Sequence, residues 1–221
     1  GIWKNPTGEL GFRGTLDGNN LSIQATFWNT GLFGYVGKGA VIKNITFNMN
    51  EYSAGKMLFG YSMIGATLNN VKINVTKSDG VTEIKTNVVS GLLTSIFSYG
   101  NTFNKVVVNT QNTPIDTLFG SCAYYGYPSA YEENKFTACT VKAKSLIGLA
   151  CTDNANKTVT TAAGIDGLTV TLIPDEIIAE GTLEIGKEFA VSGVGLTEIT
   201  SVMLGDNEFT AYSFADGTFT I

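Results

Sequence analysis

An internal repeat constrains the fold of this chain more than any other feature of its sequence. Residues 31–47 contain a Leu-Phe-Gly core whose counterparts recur at intervals of 26, 34, 26 and 28 residues. The five cores begin at Leu32, Leu58, Leu92, Leu118 and Leu146. Repeats of this length are typical of solenoids, in which each unit buries its apolar face only by stacking on its neighbours.

A second signature follows each of the first four cores, at distances of 11, 11, 12 and 16 residues from the leading Leu. Its copies begin at Lys43, Asn69, Asn104 and Asn134. The segments are rich in β-branched residues and short, which favours strands over helices. The frame of leucine-rich repeats is absent. The sequence therefore predicts an all-β, right-handed parallel β-helix of about six coils, each with about three short strands between Gly or Asn turns.

Each position of residues 31–47 has an expected role in such a coil. The apolar side chains are predicted to pack inward, and they are Leu32, Phe33, Ile42, Ile45 and Phe47. The corners are predicted at Gly34, Gly37 and Gly39. Asn44 is expected at a bend, because Asn tolerates left-handed backbone and its amide can bond to the coil above or below.

The opening of the chain adds a family resemblance. Residues 12–19 read Phe-Arg-Gly-Thr-Leu-Asp-Gly-Asn, and a Gly-Leu-Phe-Gly segment with a strand behind it follows. In these motifs residues 3–150 resemble bacterial surface proteins that carry GLUG-type repeats. The resemblance implies an exported β-helical protein, adhesin-like or attached to a polysaccharide-handling surface system. It implies no activity that can be assigned to individual residues.

Composition and charge exclude several functions. Lys and Arg number 14 against 19 Asp and Glu, a net charge of −5, so nucleic acid is not an expected partner. No run of 18 apolar residues is present, so we expect no membrane span. The chain has no histidine, which excludes histidine bases and histidine-ligated metals. The acidic residues do not recur at one coil position. We therefore predict no catalytic residues, no metal and no cofactor.

The predicted binding site is a tyrosine-rich insertion in the fourth repeat. Tyrosine rings stack on sugar rings, and their hydroxyls can bond to sugar hydroxyls. The candidate residues are Tyr124, Tyr125, Tyr127, Tyr131, Glu132 and Glu133. The alternative interpretation is that the tyrosines fold back and seal the flank of the solenoid. A second insertion, residues 76–82, is predicted to form a hairpin with Asp79 and Gly80 at its tip.

Two further local features have structural interpretations. Residues 17–20, Asp-Gly-Asn-Asn, are predicted to form a tight turn between two short strands, in preference to a calcium site at Asp17. The three cysteines, Cys122, Cys139 and Cys151, are predicted to stack inside the column as small apolar residues, with a disulfide between two of them as the alternative.

The sequence changes character near residue 166, and we place a domain boundary there. Residues 1–165 form the predicted β-helix. Residues 166–221 contain short alternating strands with Gly turns, which predict a small immunoglobulin-like β-sandwich. This segment resembles the TIG branch of that fold, and its length of about half of a complete domain indicates that it is abbreviated or continues further.

The predicted function is non-enzymatic: an exported bacterial cell-surface protein that acts as an adhesin or binds glycans, with a glycan or a host or cell-surface protein as partner. Two alternatives remain, a structural stalk and a β-helical polysaccharide lyase or hydrolase. No signal peptide follows Gly1. Either upstream strands precede residues 1–11, or these residues form the protein's own cap.

Overall fold

The structure is a computed structural model. It describes residues 11–25, 31–50, 57–76, 91–110, 115–120, 134–143, 146–153, 158–173, 178–180, 188–192, 202–204, 207–209, 213–215 and 218–220. Every regular element within these ranges is a β-strand. The chain divides into two compact units, Gly1–Thr171 and Leu172–Ile221, which are described separately.

The described residues of the first unit contain thirteen strands, the last of which ends at the first residue of the second unit. In chain order they are β1 (Thr15–Ala25), β2 (Gly34–Val36), β3 (Val41–Asn50), β4 (Gly60–Ile64), β5 (Thr67–Thr76), β6 (Thr94–Tyr99), β7 (Thr102–Asn109), β8 (Ile115–Phe119), β9 (Lys135–Thr137), β10 (Cys139–Ala143), β11 (Leu146–Asp153), β12 (Thr158–Thr160) and β13 (Leu168–Leu172). They form two sheets. Sheet I has the order β1-β3-β5-β7-β10-β13, with β9 also beside β7, and sheet II has the order β12-β11-β8-β6-β4-β2.

Successive coils stack in parallel. Strands β1, β3, β5 and β7 pair in parallel in sheet I, as do β2, β4, β6 and β8 in sheet II. Except for β11 and β12, neighbouring strands of each sheet are separated in the chain by a strand of the other sheet. This arrangement fits a parallel β-helix. Strand β12 departs from it, since it runs antiparallel to β11.

A left-handed residue bends each long strand of sheet I at the same place. Asn44, Asn70, Lys105 and Ala138 have φ angles of 51°, 54°, 52° and 51°. On either side of the bend Ile42 and Ile45, three residues apart, are both buried. Beyond the bend the buried side chains alternate with less buried ones, and Phe47 and Met49 are buried. Within the described residues each of these coils has two strands, the longer one bent into two straight segments; the sequence predicted about three strands per coil. The expected bend at Asn44 is confirmed.

The core consists of rows of apolar side chains, one residue per coil. Ile45, Val71 and Val106 form one such row and are buried. Aromatic rings connect the two sheets: Phe47 meets Phe59 edge-on at 5.7 Å between ring centroids, and Phe103 lies 5.6 Å from Phe119. Full burial of each such side chain contributes about 1.5–3 kcal/mol, so the stacked rows are the main source of stability.

The predicted register fails in the fourth and fifth repeats. Asn104 pairs with Thr137 and not with Asn134, which is three residues earlier. In sheet II, Gly148 pairs with Thr117, so the core that begins at Leu146 does not align with Leu118. Cys139 consequently takes the place after Val106 in the inward row, where it is buried as predicted and its thiol is free.

Two predictions for the first coil are wrong. Leu32 is 47% exposed, although its backbone N–H donates to Leu58 O as the repeat requires. Residues 17–20 do not separate two strands, because β1 continues through them and pairs with β3 on both sides. The register shifts between Asp17 and Leu21, and Asn19 and Asn20 have positive φ angles of 49° and 63°. The Asp-Gly-Asn-Asn segment is therefore a bulge within a strand.

The described residues of the second unit contain six short strands: β14 (Ile178–Glu180), β15 (Glu188–Ser192), β16 (Val202–Leu204), β17 (Asn207–Phe209), β18 (Ser213–Ala215) and β19 (Thr218–Thr220). Four of them form an antiparallel sheet in the order β14-β15-β19-β18, and β16 pairs with β17. The immunoglobulin-like fold stays a prediction. The strand at residues 168–172, expected to open that domain, joins sheet I next to β10.

Candidate functional site

The predicted binding residues are not among those that the structure describes. Tyr124, Tyr125, Tyr127, Tyr131, Glu132 and Glu133 all lie within residues 121–133, outside the described ranges. The same holds for Cys122 and for residues 77–82 of the predicted hairpin. The glycan platform at residues 124–133 therefore stays a prediction, and the described surface supplies other candidates.

A pair of tyrosines lies on sheet II. The Leu-Phe-Gly-Tyr sequence occurs at residues 32–35 and again at 58–61, and the backbones pair at Gly34 and Gly60. One residue later the register shifts, so Tyr35 pairs with Ser62 and Tyr61 becomes the extra residue of a bulge. The two ring centroids are 6.0 Å apart, with the ring planes inclined by 42°. Both side chains are half-buried, so each ring keeps part of its surface in solvent.

Burial and the neighbouring phenol together shift the pKa of Tyr35. Desolvation, and secondarily the charge that Tyr61 would carry, raise the pKa of Tyr35 above its ordinary value of 10.0. The Tyr35 phenol is therefore neutral at physiological pH and keeps a proton that it can donate. The repetition of Leu-Phe-Gly-Tyr at residues 32–35 and 58–61 is the sequence signal for this pair. The sequence interpretation missed it because it extended the repeat core only over Leu-Phe-Gly.

A polar row runs along the bend of sheet I. The Asn70 amide donates to Asn44 Oδ1 at 3.0 Å, and the Asn44 amide donates to Asp17 Oδ1 at 3.2 Å. This confirms the coil-to-coil bond predicted for Asn44. Lys43 Nζ lies 3.1 Å from Asp17 Oδ2, with both side chains partly exposed. A second row continues further along the strands, where Asn74 donates to Asn48 Oδ1 at 2.8 Å.

The environment of Asp17 gives a testable dependence on pH. A hydrogen bond from the Asn19 backbone, together with those from Lys43 and Asn44, lowers the pKa of Asp17 below its usual 3.8. A carboxylate whose pKa is depressed by folding stabilises the protein above its unfolded-state pKa, and this contribution is lost as the pH falls through the folded-state pKa.

Replacing Asp17 by Asn should therefore reduce the acid sensitivity of the fold. We expect the urea midpoint of the parent to drop more between pH 7 and acid conditions below pH 3.8 than that of Asp17→Asn. Since the carboxylate is exposed, we expect a modest difference. Equal losses in the two proteins would show that the row around Asp17 does not stabilise the folded state.

A second polar group is buried between the coils. Asn101 accepts a hydrogen bond from Ala66 N at 2.9 Å and donates to Met63 O at 2.8 Å and Asn134 Oδ1 at 2.9 Å. Asn134 in turn donates to Ser98 O. Because these contacts tie three coils together inside the protein, we assign Asn101 and Asn134 a structural role. The sequence interpretation missed it by aligning Asn134 with Asn69 and Asn104 at the start of the second signature.

The described residues show no grouping of three or more Cys, Asp or Glu side chains arranged to hold a metal ion. No helix long and apolar enough to cross a membrane occurs among them. Comparison with known proteins adds no relative: no family model, no curated protein and no solved structure matches the chain. The surfaces described above therefore supply the candidate sites.

Proposed function

We propose that this chain is a non-enzymatic, exported cell-surface protein of the GLUG-repeat type, which binds glycans through the outer surface of its coils. In this proposal residues 1–165 form a right-handed parallel β-helix of about six coils. Residues 166–221 form an immunoglobulin-like domain. The partner is a glycan on a host or neighbouring cell surface, as expected for an adhesin.

The tyrosine pair is the observation that supports glycan binding. Tyr35 and Tyr61 belong to consecutive coils, and their rings are 6.0 Å apart, a separation suited to contact with one sugar ring or two linked ones. The pairing of β2 with β4 fixes the backbone beneath both rings. Little conformational entropy is therefore lost on binding, which favours affinity.

A glycan array tests this proposal. We expect the Tyr35→Ala, Tyr61→Ala double variant to bind the glycans recognised by the parent at least about tenfold more weakly, because two stacking surfaces are lost. The control is Tyr35→Phe, Tyr61→Phe, which keeps both rings and should retain most of the affinity. A third variant, Tyr125→Ala with Tyr127→Ala, measures the separate contribution predicted for the tyrosine-rich insertion.

The outcomes distinguish a wrong choice of binding site from a wrong function. Binding lost only in the Tyr125 and Tyr127 variant would move the site to the insertion and contradict the assignment to Tyr35 and Tyr61. A parent that binds no glycan would contradict the function itself.

A structural stalk is the second candidate, and the amide rows favour it. Hydrogen bonds between asparagines of successive coils, such as Asn104 to Asn69 at 2.9 Å, reinforce the backbone ladder along the stacking direction. A spacer would need this continuity and no recognition surface. A parent without glycan binding but with cooperative unfolding of the whole Gly1–Thr171 unit would support the stalk.

A further inference from the structure

Exposed lysines are concentrated on the outer face of sheet I. Lys72 and Lys142 each lie between two buried residues of a strand, so their side chains point away from the core. Lys105 occupies the left-handed bend of β7, and Lys135 begins β9, the strand beside β7. All four side chains are exposed. We call these four residues the lysine face.

The lysine face carries positive charge that the described part of the chain does not neutralise. Among the described residues none of its four members forms an ion pair, whereas Lys43 on β3 is paired with Asp17. Asp17 is the only carboxylate in the described strands of sheet I, and Asp166 is exposed in the segment before β13. The whole chain has a net charge of −5, so this face is opposite in sign to the protein.

The register of the strands brings these charges close together. Lys72 pairs with Val107, so Lys105 is one strand over and two residues back, about 8 Å away between Cα atoms. Lys142 pairs with Asn109, which puts it two strands and about 12 Å from Lys72. These separations are similar to the screening length of about 8–10 Å at physiological salt, so the potentials of the lysines add. The face therefore attracts anions along the direction in which the coils stack.

Neutral polar groups accompany the lysines. Thr46, Lys72 and Thr140 belong to one outward row, and Asn48 and Asn74 belong to the next. Hydroxyls and amides of this kind can exchange hydrogen bonds with sugar hydroxyls. Single-stranded nucleic acid is bound largely by stacking on aromatic rings, and the outward positions of β3, β5, β7 and β10 carry none. The chemistry therefore fits a polyanion whose neutral groups are hydroxyls.

We propose that the lysine face binds a linear acidic polysaccharide, one that carries carboxylate or sulfate groups, laid across the strands of sheet I. Lysine supplies rotatable point charges in place of the fixed fork of arginine, which suits anions spaced along a flexible polymer. The rows of hydroxyls and amides bond to the sugar hydroxyls between the anionic groups. This site is on a different sheet from Tyr35 and Tyr61 and does not depend on glycan binding by that pair.

Calorimetric titration of the full chain with polysaccharides tests the proposal. The probes are heparin, which is sulfated, polygalacturonate, which is carboxylated, dextran, which is neutral, and an oligothymidylate as the nucleic acid. We expect the parent to bind at least one of the two acidic polysaccharides, with an affinity that falls as the salt concentration rises. The triple variant Lys72→Gln, Lys105→Gln, Lys142→Gln should bind it at least about tenfold more weakly and with a flatter salt dependence. Any binding of dextran should be the same in both proteins.

Two controls match the lysine variants. Lys38→Gln removes the same charge from an exposed lysine outside sheet I and should leave the affinity nearly unchanged, whereas Lys72→Gln alone should lower it about threefold. The triple variant Lys72→Arg, Lys105→Arg, Lys142→Arg keeps the three charges and should retain the affinity of the parent. Because these side chains are exposed, the urea midpoints of all variants should stay close to that of the parent.

Several results would overturn the lysine face. A parent that binds neither acidic polysaccharide at up to about 1 mM would do so, and it would leave the assignment of the tyrosine pair unaffected. Equal losses in Lys72→Gln and Lys38→Gln would show that only the net charge of the protein matters. Tighter binding of the oligothymidylate than of either acidic polysaccharide would contradict the ligand class. Loss of acidic polysaccharide binding in the Tyr35→Ala, Tyr61→Ala variant would place the site on sheet II.

Discussion

Replacing Gly60 by Ala is expected to lower the free energy of unfolding by roughly 3–5 kcal/mol. Gly60 has a φ angle of 148°, which L side chains rarely adopt. A Cβ atom here would lie 2.4 Å from Gly34 O and 2.5 Å from Gly34 C. Both contacts are with backbone that pairs β2 with β4, so the two coils would have to separate. Urea denaturation followed by circular dichroism measures the loss.

The pairing partner of Gly60 provides the matched control. Gly34 has a φ angle of 72°, but a Cβ atom there would meet nothing within 4 Å. Gly34→Ala should therefore cost only the strain of left-handed backbone, about 1–2 kcal/mol. Equal stability of the two variants would contradict the close approach of the two coils at Gly60.

Replacing Asn101 by Ala is expected to cost roughly 3–5 kcal/mol, because the partners of its amide would be left unpaired in the interior. The Ala66 N–H would lose its acceptor and the Met63 carbonyl its donor. Asn101 is fully buried, so water cannot easily replace the lost partners. The urea midpoint and the slope of the transition together give this change in stability.

The control for Asn101 is an asparagine in an outer row. Asn74 donates to Asn48 at 2.8 Å, but both side chains are only partly buried, so water can replace the bond. Asn74→Ala should cost about 1 kcal/mol or less. Equal losses for the two variants would contradict the assignment of Asn101 as the buried connection between coils.

The sequence predicted those parts of the fold in which the conformational preference of each residue type matches its local backbone. Asn44 and Asn70 occupy the left-handed bend because Asn tolerates that conformation, and the β-branched residues around them mark the strands. The parallel stacking of these strands followed from the repeat length. The immunoglobulin-like interpretation of residues 166–221 had no comparable internal repeat to support it.

Register failed where the residue type gives no local signal. The left-handed bend in the fourth sequence repeat falls on Ala138, which tolerates this backbone poorly, while Asn134 nearby imitates the expected signature. The sequence therefore favoured Asn134, whereas the structure uses it to bond Asn101 in the interior. Asn-Gly-type turn signals misled in the same way at residues 17–20, because bulges and hairpins favour the same residues.

The tyrosine pair at Tyr35 and Tyr61 could not be predicted from clustering in the sequence. The glycan-binding residues were expected to be tyrosines, and their clustering in the sequence favoured residues 124–131. Tyr35 and Tyr61 are 26 residues apart in the chain and are brought together only by the stacking of coils. Contacts of this kind can be predicted only when the register between successive coils is known. The same is true of the exposure of Leu21 and Ile23, whose pairing partners Ile45 and Phe47 are buried.

Methyl-to-methyl nuclear Overhauser effects most directly test the stacking of coils in parallel register. Ile45, Val71 and Val106 are successive members of one inward row, about 4.8 Å apart from strand to strand. We expect strong cross-peaks between Ile45 and Val71 and between Val71 and Val106, and none or a very weak one between Ile45 and Val106, two coils apart. A strong Ile45–Val106 cross-peak, or the absence of the two nearest-neighbour cross-peaks, would contradict this fold and the surfaces derived from it.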